Sequence, residues 1–392
     1  MKRITAVILT AICILTSGCA DSGDVNKRNP AYDSTGNYTY MVVTNDGGVG
    51  TVLCRFDIDS GIVTPMCTDP LCRHDDPKEC LFANLSRCFA RGDKIVIPTY
   101  NSYDPLRKSY SWQVIGYDIP SDSFKVWYKY NEDYSELPID DTVIGDYYYC
   151  RYTGVFKNGD GDEAYDTTVT YRINMSDGKY ENLDIEDLPC AEYGGRYFYN
   201  EDRILFSTDL NGNDRQEYKT SFLVGDAYFD WIGDGIIIGA GFGQDRTKLF
   251  RININTGEIT ETDFGMYIFD LCVGDDYIYM LCADPDKSVI GYDSKQGKDI
   301  YNETGGKLWR MKPDLSETEL YKDFGNDYSF WTSMDYVDRR IILDYGAIVT
   351  DQMWKVDTWN EKGGGKVVID TVTDEYTVFE RTWNLPSAIS VN

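Results

Sequence analysis

Past its first twenty residues the chain carries almost no 3.6-residue periodicity. Short runs of β-branched and aromatic residues alternate instead with Gly, Asp and Asn turns, the pattern of an all-β chain. One signature recurs, an apolar–charged strand leading into a polar turn. It stands at Arg55–Gly61, Gly116–Asp122, Arg172–Gly178 and Arg251–Gly257, with weaker copies at Arg310–Asp314 and Val368–Asp374. The aligned positions 57, 118, 174, 253, 312 and 370 are separated by 61, 56, 79, 59 and 58 residues. A second signature, an acidic turn followed by a β run, precedes these hairpins at Gly92-Asp93, Gly145-Asp146, Gly233-Asp234, Gly274-Asp275 and Val337-Asp338. The wide gap of 79 holds a further copy, Glu201–Phe206, which predicts an additional unit there.

Units of this length that cannot bury both faces alone stack against neighbours, and a ring of such units is a β-propeller. Including the run Tyr38–Val43, the spacing predicts seven blades over residues 36–392, with six or eight as the neighbouring counts.

The N-terminus reads differently. Lys2 and Arg3 precede an apolar run, Ile4–Leu15, which is shorter than the ~20 residues a spanning helix needs and has the form of a secretory signal. The run ends in Leu15-Thr16-Ser17-Gly18-Cys19, which resembles the lipobox of bacterial lipoproteins, with Leu15 one place earlier than that pattern usually sets it. The organisation this predicts is a signal peptide over 1–18, a lipidated Cys19 with a polar tether to residue 35, and the propeller beyond. Lipobox plus single propeller resembles bacterial β-propeller surface lipoproteins of uncharacterised function. The resemblance implies an extracytoplasmic domain anchored to the cell membrane by acyl chains on Cys19, serving ligand binding or scaffolding.

The 392 residues carry Lys+Arg 38 against Asp+Glu 65, a formal charge of −27. So acidic a chain offers no basic face to phosphates, which removes nucleic acid as a partner. Its single histidine, His74, removes most Ser–His and Cys–His nucleophile sets. The Ser-x-Asp-x-Gly-x-x-Trp box of sialidases begins at Ser207 and then fails.

The densest chemistry is Cys67-x4-Cys72-x-His74-x5-Cys80, with Cys88 close behind. Four Cys and His donors from one loop satisfy tetrahedral zinc, so Cys67, Cys72, His74 and Cys80 are the candidate ligands of one structural zinc. Disulfides among Cys67, Cys72, Cys80 and Cys88 are the competing reading, because an oxidising compartment permits them. A redox role for free thiols is a third. The segment is also similar to a Cys-x4-Cys-x-His stretch of the same lipoproteins, which implies a family feature and no particular purpose. Cys272 and Cys282 flank one turn and could meet across a hairpin.

Oxygen donors at positions 1, 3, 5 and 9 recur in Asn158–Asp166 and Asp209–Glu217, a clustering that calcium favours. The usual glycine of such loops is replaced by Glu163 and Asp214. The 32 tyrosines and 8 tryptophans suit either a carbohydrate-stacking face or strand packing between blades. The expectation is a non-enzymatic lipoprotein whose propeller binds a protein or carbohydrate. A glycan-active enzyme using paired carboxylates, or a metal-handling lipoprotein, are the alternatives.

Overall fold

The computed structural model describes residues 36–44, 51–69, 72, 80–83, 85, 87–104, 109–129, 140–157, 164–185, 187–233, 235–283, 289–293, 298–301, 306–324, 329–346 and 365–380. Seven antiparallel sheets follow one another along the chain. Blade 1 holds β1 (Tyr38–Thr44), β2 (Thr51–Asp57) and β3 (Val63–Pro65). Blade 2 holds β4 (Phe89–Arg91), β5 (Lys94–Asp104), β6 (Ser109–Asp118) and β7 (Ser123–Lys129). Blade 3 holds β8 (Asp140–Ile144), β9 (Tyr147–Lys157), β10 (Ala164–Asn174) and β11 (Tyr180–Leu183). Blade 4 holds β12 (Ala191–Tyr193), β13 (Arg196–Glu201), β14 (Ile204–Asp209) and β15 (Gln216–Tyr218).

Blade 5 holds β16 (Val224–Gly233), β17 (Ile236–Gly241), β18 (Lys248–Asn253) and β19 (Glu258–Asp263). Blade 6 starts with β20 (Tyr267–Val273) and β21 (Ile278–Ala283). An inserted hairpin follows, β22 (Val289–Asp293) and β23 (Lys298–Tyr301), and β24 (Lys307–Met311) and β25 (Glu319–Asp323) finish the blade. Blade 7 holds β26 (Ser329–Val337), β27 (Arg340–Gly346), β28 (Gly365–Asp370) and β29 (Tyr376–Glu380).

Seven apolar clusters, one between each pair of neighbours, make the ring. They lie between blades 1 and 2 (Leu53 with Ile95), 2 and 3 (Val96 with Tyr148) and 3 and 4 (Tyr149 with Tyr197). They continue between 4 and 5 (Phe198 with Ile237), 5 and 6 (Ile238 with Met280) and 6 and 7 (Leu281 with Ile341). The seventh, Phe56 and Ile58 with Ile342 and Val368, joins blade 7 back to blade 1. The chain is a seven-bladed β-propeller.

This arrangement explains the strand composition. Side chains alternate across a strand, and a blade is covered on both sides, so both sets must be apolar. Tyr148 and Tyr149 are both fully buried, one facing blade 2 and the other blade 4. Ile237 and Ile238 divide in the same way. The last strand of each blade lies outermost and is largely exposed, as in β19 and β29.

The recurring hairpin signature joins the last two strands of a blade, and its chemistry is local. The leading Asp or Asn turns its side-chain oxygen onto backbone N–H groups just ahead, an Asx turn. Asp57 Oδ1 accepts from Ser60 N at 2.9 Å, Asn253 Oδ1 from Asn255 N at 3.0 Å and Asp370 Oδ1 from Val372 N at 2.8 Å. Four residues on, the backbone is left-handed, at φ +71 for Gly61, +73 for Gly178, +73 for Gly257, +48 for Asp122 and +59 for Asp374. That region favours Gly, Asn and Asp, which fixes the spacing Asp/Asn-x-x-x-Gly/Asp in the sequence.

The residue after the leading Asx then ties its hairpin to the start of the blade. Ile58, Ile119, Met175, Ile254 and Thr371 donate their N–H to the carbonyls of Asn37, Asp93, Asp146, Gly235 and Arg339 at 2.8–2.9 Å.

Connectivity sorts the loops onto two faces. The turns between first and second strands and between third and fourth strands close one face, and none is longer than the stretch 312–318. The connections between second and third strands, and from one blade to the next, close the other. Residues 65 and 89, 129 and 140, 283 and 307, and 346 and 365, the ends of the longest connections, stand at that face.

Candidate metal centre and the loop-bearing face

Cys67, Cys72 and Cys80 all belong to the connection from β3 to β4, which crosses the loop-bearing face between blades 1 and 2. The strand pairing sets their approach. Met66 N donates to Leu53 O and Leu53 N to Phe82 O, both at 2.9 Å, so the two ends of the loop are pinned to β2. An isolated bridge between Val52 and Ala83 continues that pinning. Cys72 N donates to Asp69 O at 3.2 Å, which folds the loop back on itself.

The three Sγ atoms then lie within 4.8 Å of one another. Thiolates about 2.3 Å from a tetrahedral zinc sit under 4 Å apart, so this cluster needs little contraction to hold the ion. Cys80 is buried, while Cys67 and Cys72 are half-buried. Burial pushes the Cys80 thiol up to about 12, with the sulfurs of Cys72 and Cys67 adding to the rise. Burial also raises Cys67, where Cys72 adds to the rise and the hydrogen bond with Cys80 opposes it. Without a cation these groups are thiols, and a thiol is a poor nucleophile and a poor redox group. A divalent ion supplies the charge that three convergent sulfurs lack. A disulfide would use two of the three and leave the third unpaired. His74, the fourth candidate ligand, lies outside the described residues.

Cys88 stands apart from this group. Its thiol is pushed up to about 12 by burial and then by the thiol of Cys54, on the central strand of blade 1. Proximity in sequence had grouped Cys88 with the loop, but its spatial neighbour is a strand residue. Cys272 and Cys282 do not face one another across their hairpin. Cys272 is paired in register with Tyr279, and Cys282 with Ile268. They project into different interfaces, towards blades 7 and 5.

The second calcium candidate is the β14–β15 hairpin of blade 4. Asp209 Oδ1 accepts from Asn211 N at 2.9 Å and Asn213 N at 2.8 Å, so its carboxylate serves an Asx turn. Most of the first, residues 158–163, lies outside the described residues. Blade 4 fills the wide gap in the repeat, as its length predicts. The copy Glu201–Phe206 is not the blade's first turn, however: it joins β13 to β14, and the first turn is Gly194-Gly195.

Buried aspartates on the first, innermost strands are the feature the sequence did not reveal. Asp230 on β16 accepts from Val273 N of blade 6 at 2.8 Å, and Asp270 on β20 accepts from Met334 N of blade 7 at 2.9 Å. Asp270 also accepts from Leu271 N at 2.8 Å. Asp141 on β8 pairs with Arg87, just before β4 of blade 2, at 2.8 Å and accepts from Tyr148 Oη at 2.7 Å. Burial raises Asp270 to about 7 and Asp141 to about 6, against those stabilising contacts. For Asp270 the nearby carboxylates of Asp335 and Asp230 add to the rise. With 65 acidic residues in the chain, spacing alone does not single these out.

No family model and no curated protein matches the chain. Solved structures match in outline, at low identity. The β-propeller domain of the Trilobed protease from Pyrococcus furiosus shares 9% identity at a TM-score of 0.49, over 91% of this chain and 97% of that one. An oligogalacturonate lyase in complex with manganese shares 8% at 0.47, over 83% and 87%. The acylaminoacyl peptidase of Pyrococcus horikoshii shares 9% at 0.46, over 91% of this chain and 52% of that one.

Proposed function

We propose that this protein is a membrane-anchored extracytoplasmic lipoprotein whose propeller binds a ligand or protein partner on its loop-bearing face, without catalysis. The observation that carries the reading is the division of labour between the faces. One is closed by short clamped hairpins, and the longest connections leave from and return to the other, which is where a rigid scaffold presents recognition elements. The inner-strand carboxylates of Asp230 and Asp270 already accept backbone N–H groups of the next blade, which supports a structural role for them over glycosidic catalysis. Anchoring rests on the sequence Leu15-Thr16-Ser17-Gly18-Cys19 and its preceding apolar run. In this reading one zinc on Cys67, Cys72, Cys80 and His74 pins the β3–β4 connection, stretch 66–88, to blade 1, as structural zinc does elsewhere.

The test uses two exposed lysines on opposite faces, Lys219 (80% exposed) and Lys179 (86% exposed). A photo-crosslinking residue at each is irradiated in the producing cell. Adducts from position 219 and none from 179 are expected; equal adducts, or adducts from 179 alone, overturn the reading. In the same cells Cys19→Ser should abolish incorporation of labelled palmitate and move the protein out of the membrane fraction. Retention of both would refute the anchor.

A further inference from the structure

A pocket of about 440 Å³ opens on the loop-bearing face between blades 4 and 5, within the size range of small-molecule sites. Its apolar wall is Ile204, Phe222 and Leu223, of which Leu223 is 48% and Ile204 38% exposed. Its polar wall includes Arg203, Glu217, Lys219 and Asp245.

The charges in the wall are not equivalent. Asp245 is neutralised by Lys248 at 2.6 Å, and Glu217 by Lys219 at 3.4 Å and Arg215 at 3.5 Å. Arg203 differs. Its guanidinium stacks on the ring of Phe242 at 3.3 Å from the centroid and, among the described residues, faces no carboxylate. Stacking restrains the guanidinium plane and leaves the N–H donors of its edge unused by the ring.

Backbone conformation supplies a second observation. Asp202 and Arg203 form the two-residue turn between β13 and β14 with φ of +50 and +65. Such turns favour Asn and Gly, and a longer side chain in the left-handed region is strained. The same dipeptide in the same conformation, Asp338-Arg339, closes a turn of blade 7, but there Arg339 lies 3.6 Å from Asp275. At Arg203, among the described residues, the left-handed backbone is met with no ion pair in return. The floor of the pocket is also fixed. Ser221 donates its N–H to Glu261 of β19 at 2.6 Å, and Thr220 Oγ1 donates to Phe222 O at 2.5 Å.

We propose that this pocket binds an organic carboxylate with an apolar body, the carboxylate on Arg203 and the body against Ile204, Phe222 and Leu223. Planar two-point recognition of a carboxylate is the work a pre-oriented guanidinium does best. The proposal deepens the reading of the loop-bearing face as the recognition surface and rests on it. A free small acid and the C-terminus of a polypeptide present the same chemistry.

The experiment titrates the full mature chain calorimetrically with N-acetyl-L-leucine, with its methyl ester, and with a pentapeptide ending in leucine as free acid and as amide. Binding of a free acid without binding of its ester or amide is expected. The tighter of the two acids names the source. Arg203→Asn removes the guanidinium but suits the left-handed turn, so it should weaken that binding about tenfold or more without lowering the melting temperature. Arg203→Lys should recover only part of the loss, because an ammonium lacks the planar fork. Equal binding of acid and ester, unchanged binding in Arg203→Asn, or no binding by either acid overturns the proposal. Should the acids fail while crosslinks persist at position 219, only the pocket assignment falls.

Discussion

The seam between blades 7 and 1 gives the sharpest test of how the ring is held. Gly61 sits in the blade 1 hairpin at φ +71, and Phe379 of β29 packs over it. A Cβ built on Gly61 would stand 2.0 Å from Phe379 Cδ1. Gly61→Ala therefore carries two costs. The left-handed backbone contributes about 1–2 kcal/mol, and displacing a ring that also makes an edge contact with Phe56 at 5.7 Å contributes a further ~1–3 kcal/mol of overpacking. Gly257 provides the internal control. It occupies the same hairpin position in blade 5 at φ +73, and a Cβ there meets nothing within 4 Å. Gly257→Ala should cost only the backbone share.

Urea unfolding of the two variants, followed by tryptophan fluorescence, should thus separate them by about 1–3 kcal/mol. Combining Gly61→Ala with Phe379→Ala should cost less than the sum of the two single changes, because the collision disappears. Equal destabilisation at positions 61 and 257 would refute the reasoning, since it would mean that the aromatic gives way freely. A Cβ built on Gly178 of blade 3 would likewise stand 2.2 Å from Trp127 Cδ1, so Gly178→Ala should behave like Gly61→Ala.

Two further outcomes are expected. Purified without chelator, the mature chain should carry about one zinc, lost in Cys67→Ser, Cys72→Ser and Cys80→Ser alike; metal retained in any of the three would break the assignment. Asp270 is raised to about 7, above the ordinary carboxylate value near 4, so the folded protein holds its proton more tightly than the unfolded chain. Its contribution to stability must then fall as pH rises between about 4 and 7. Urea midpoints of Asp270→Asn at pH 5 and pH 8 should differ less than those of the wild type, and an unchanged difference would discount the effect.

The fold was legible because its rules are local. The Asx oxygen and the left-handed residue four places on are chemical requirements of one hairpin, so Asp57 and Gly61, or Asn253 and Gly257, mark the blades without knowledge of the rest. Blade 4 was the least visible, because its last hairpin sets the left-handed backbone at Gly212 and Asp214, three and five places after Asp209 instead of four. Asp209, Asn211 and Asn213 in that turn had the spacing of a calcium loop, yet they meet the same Asx requirement as the other blades. The cysteines at 67, 72 and 80 were legible as a group because one loop carries them all. Cys88 packs against the same core as these three, while the thiol that acts on it electrostatically, Cys54, comes from a strand that only the sheet brings near. Arg203 and Asp270 escaped for the same reason: what distinguishes them is a neighbour from another blade.

The contiguity of each described sheet has a kinetic consequence. Most hairpins within a blade close over a few residues and can form independently, starting anywhere along the chain. The seam must bring Asp59 to Arg340, 2.9 Å apart in space and 281 positions apart in the chain. With about 0.6 kcal/mol for each doubling of loop length, that closure costs about 1–1.5 kcal/mol more than docking one blade on the next. Seam contacts such as Gly61 with Phe379 then form last and break first. Changes there should accelerate unfolding while leaving the rate of blade formation almost untouched.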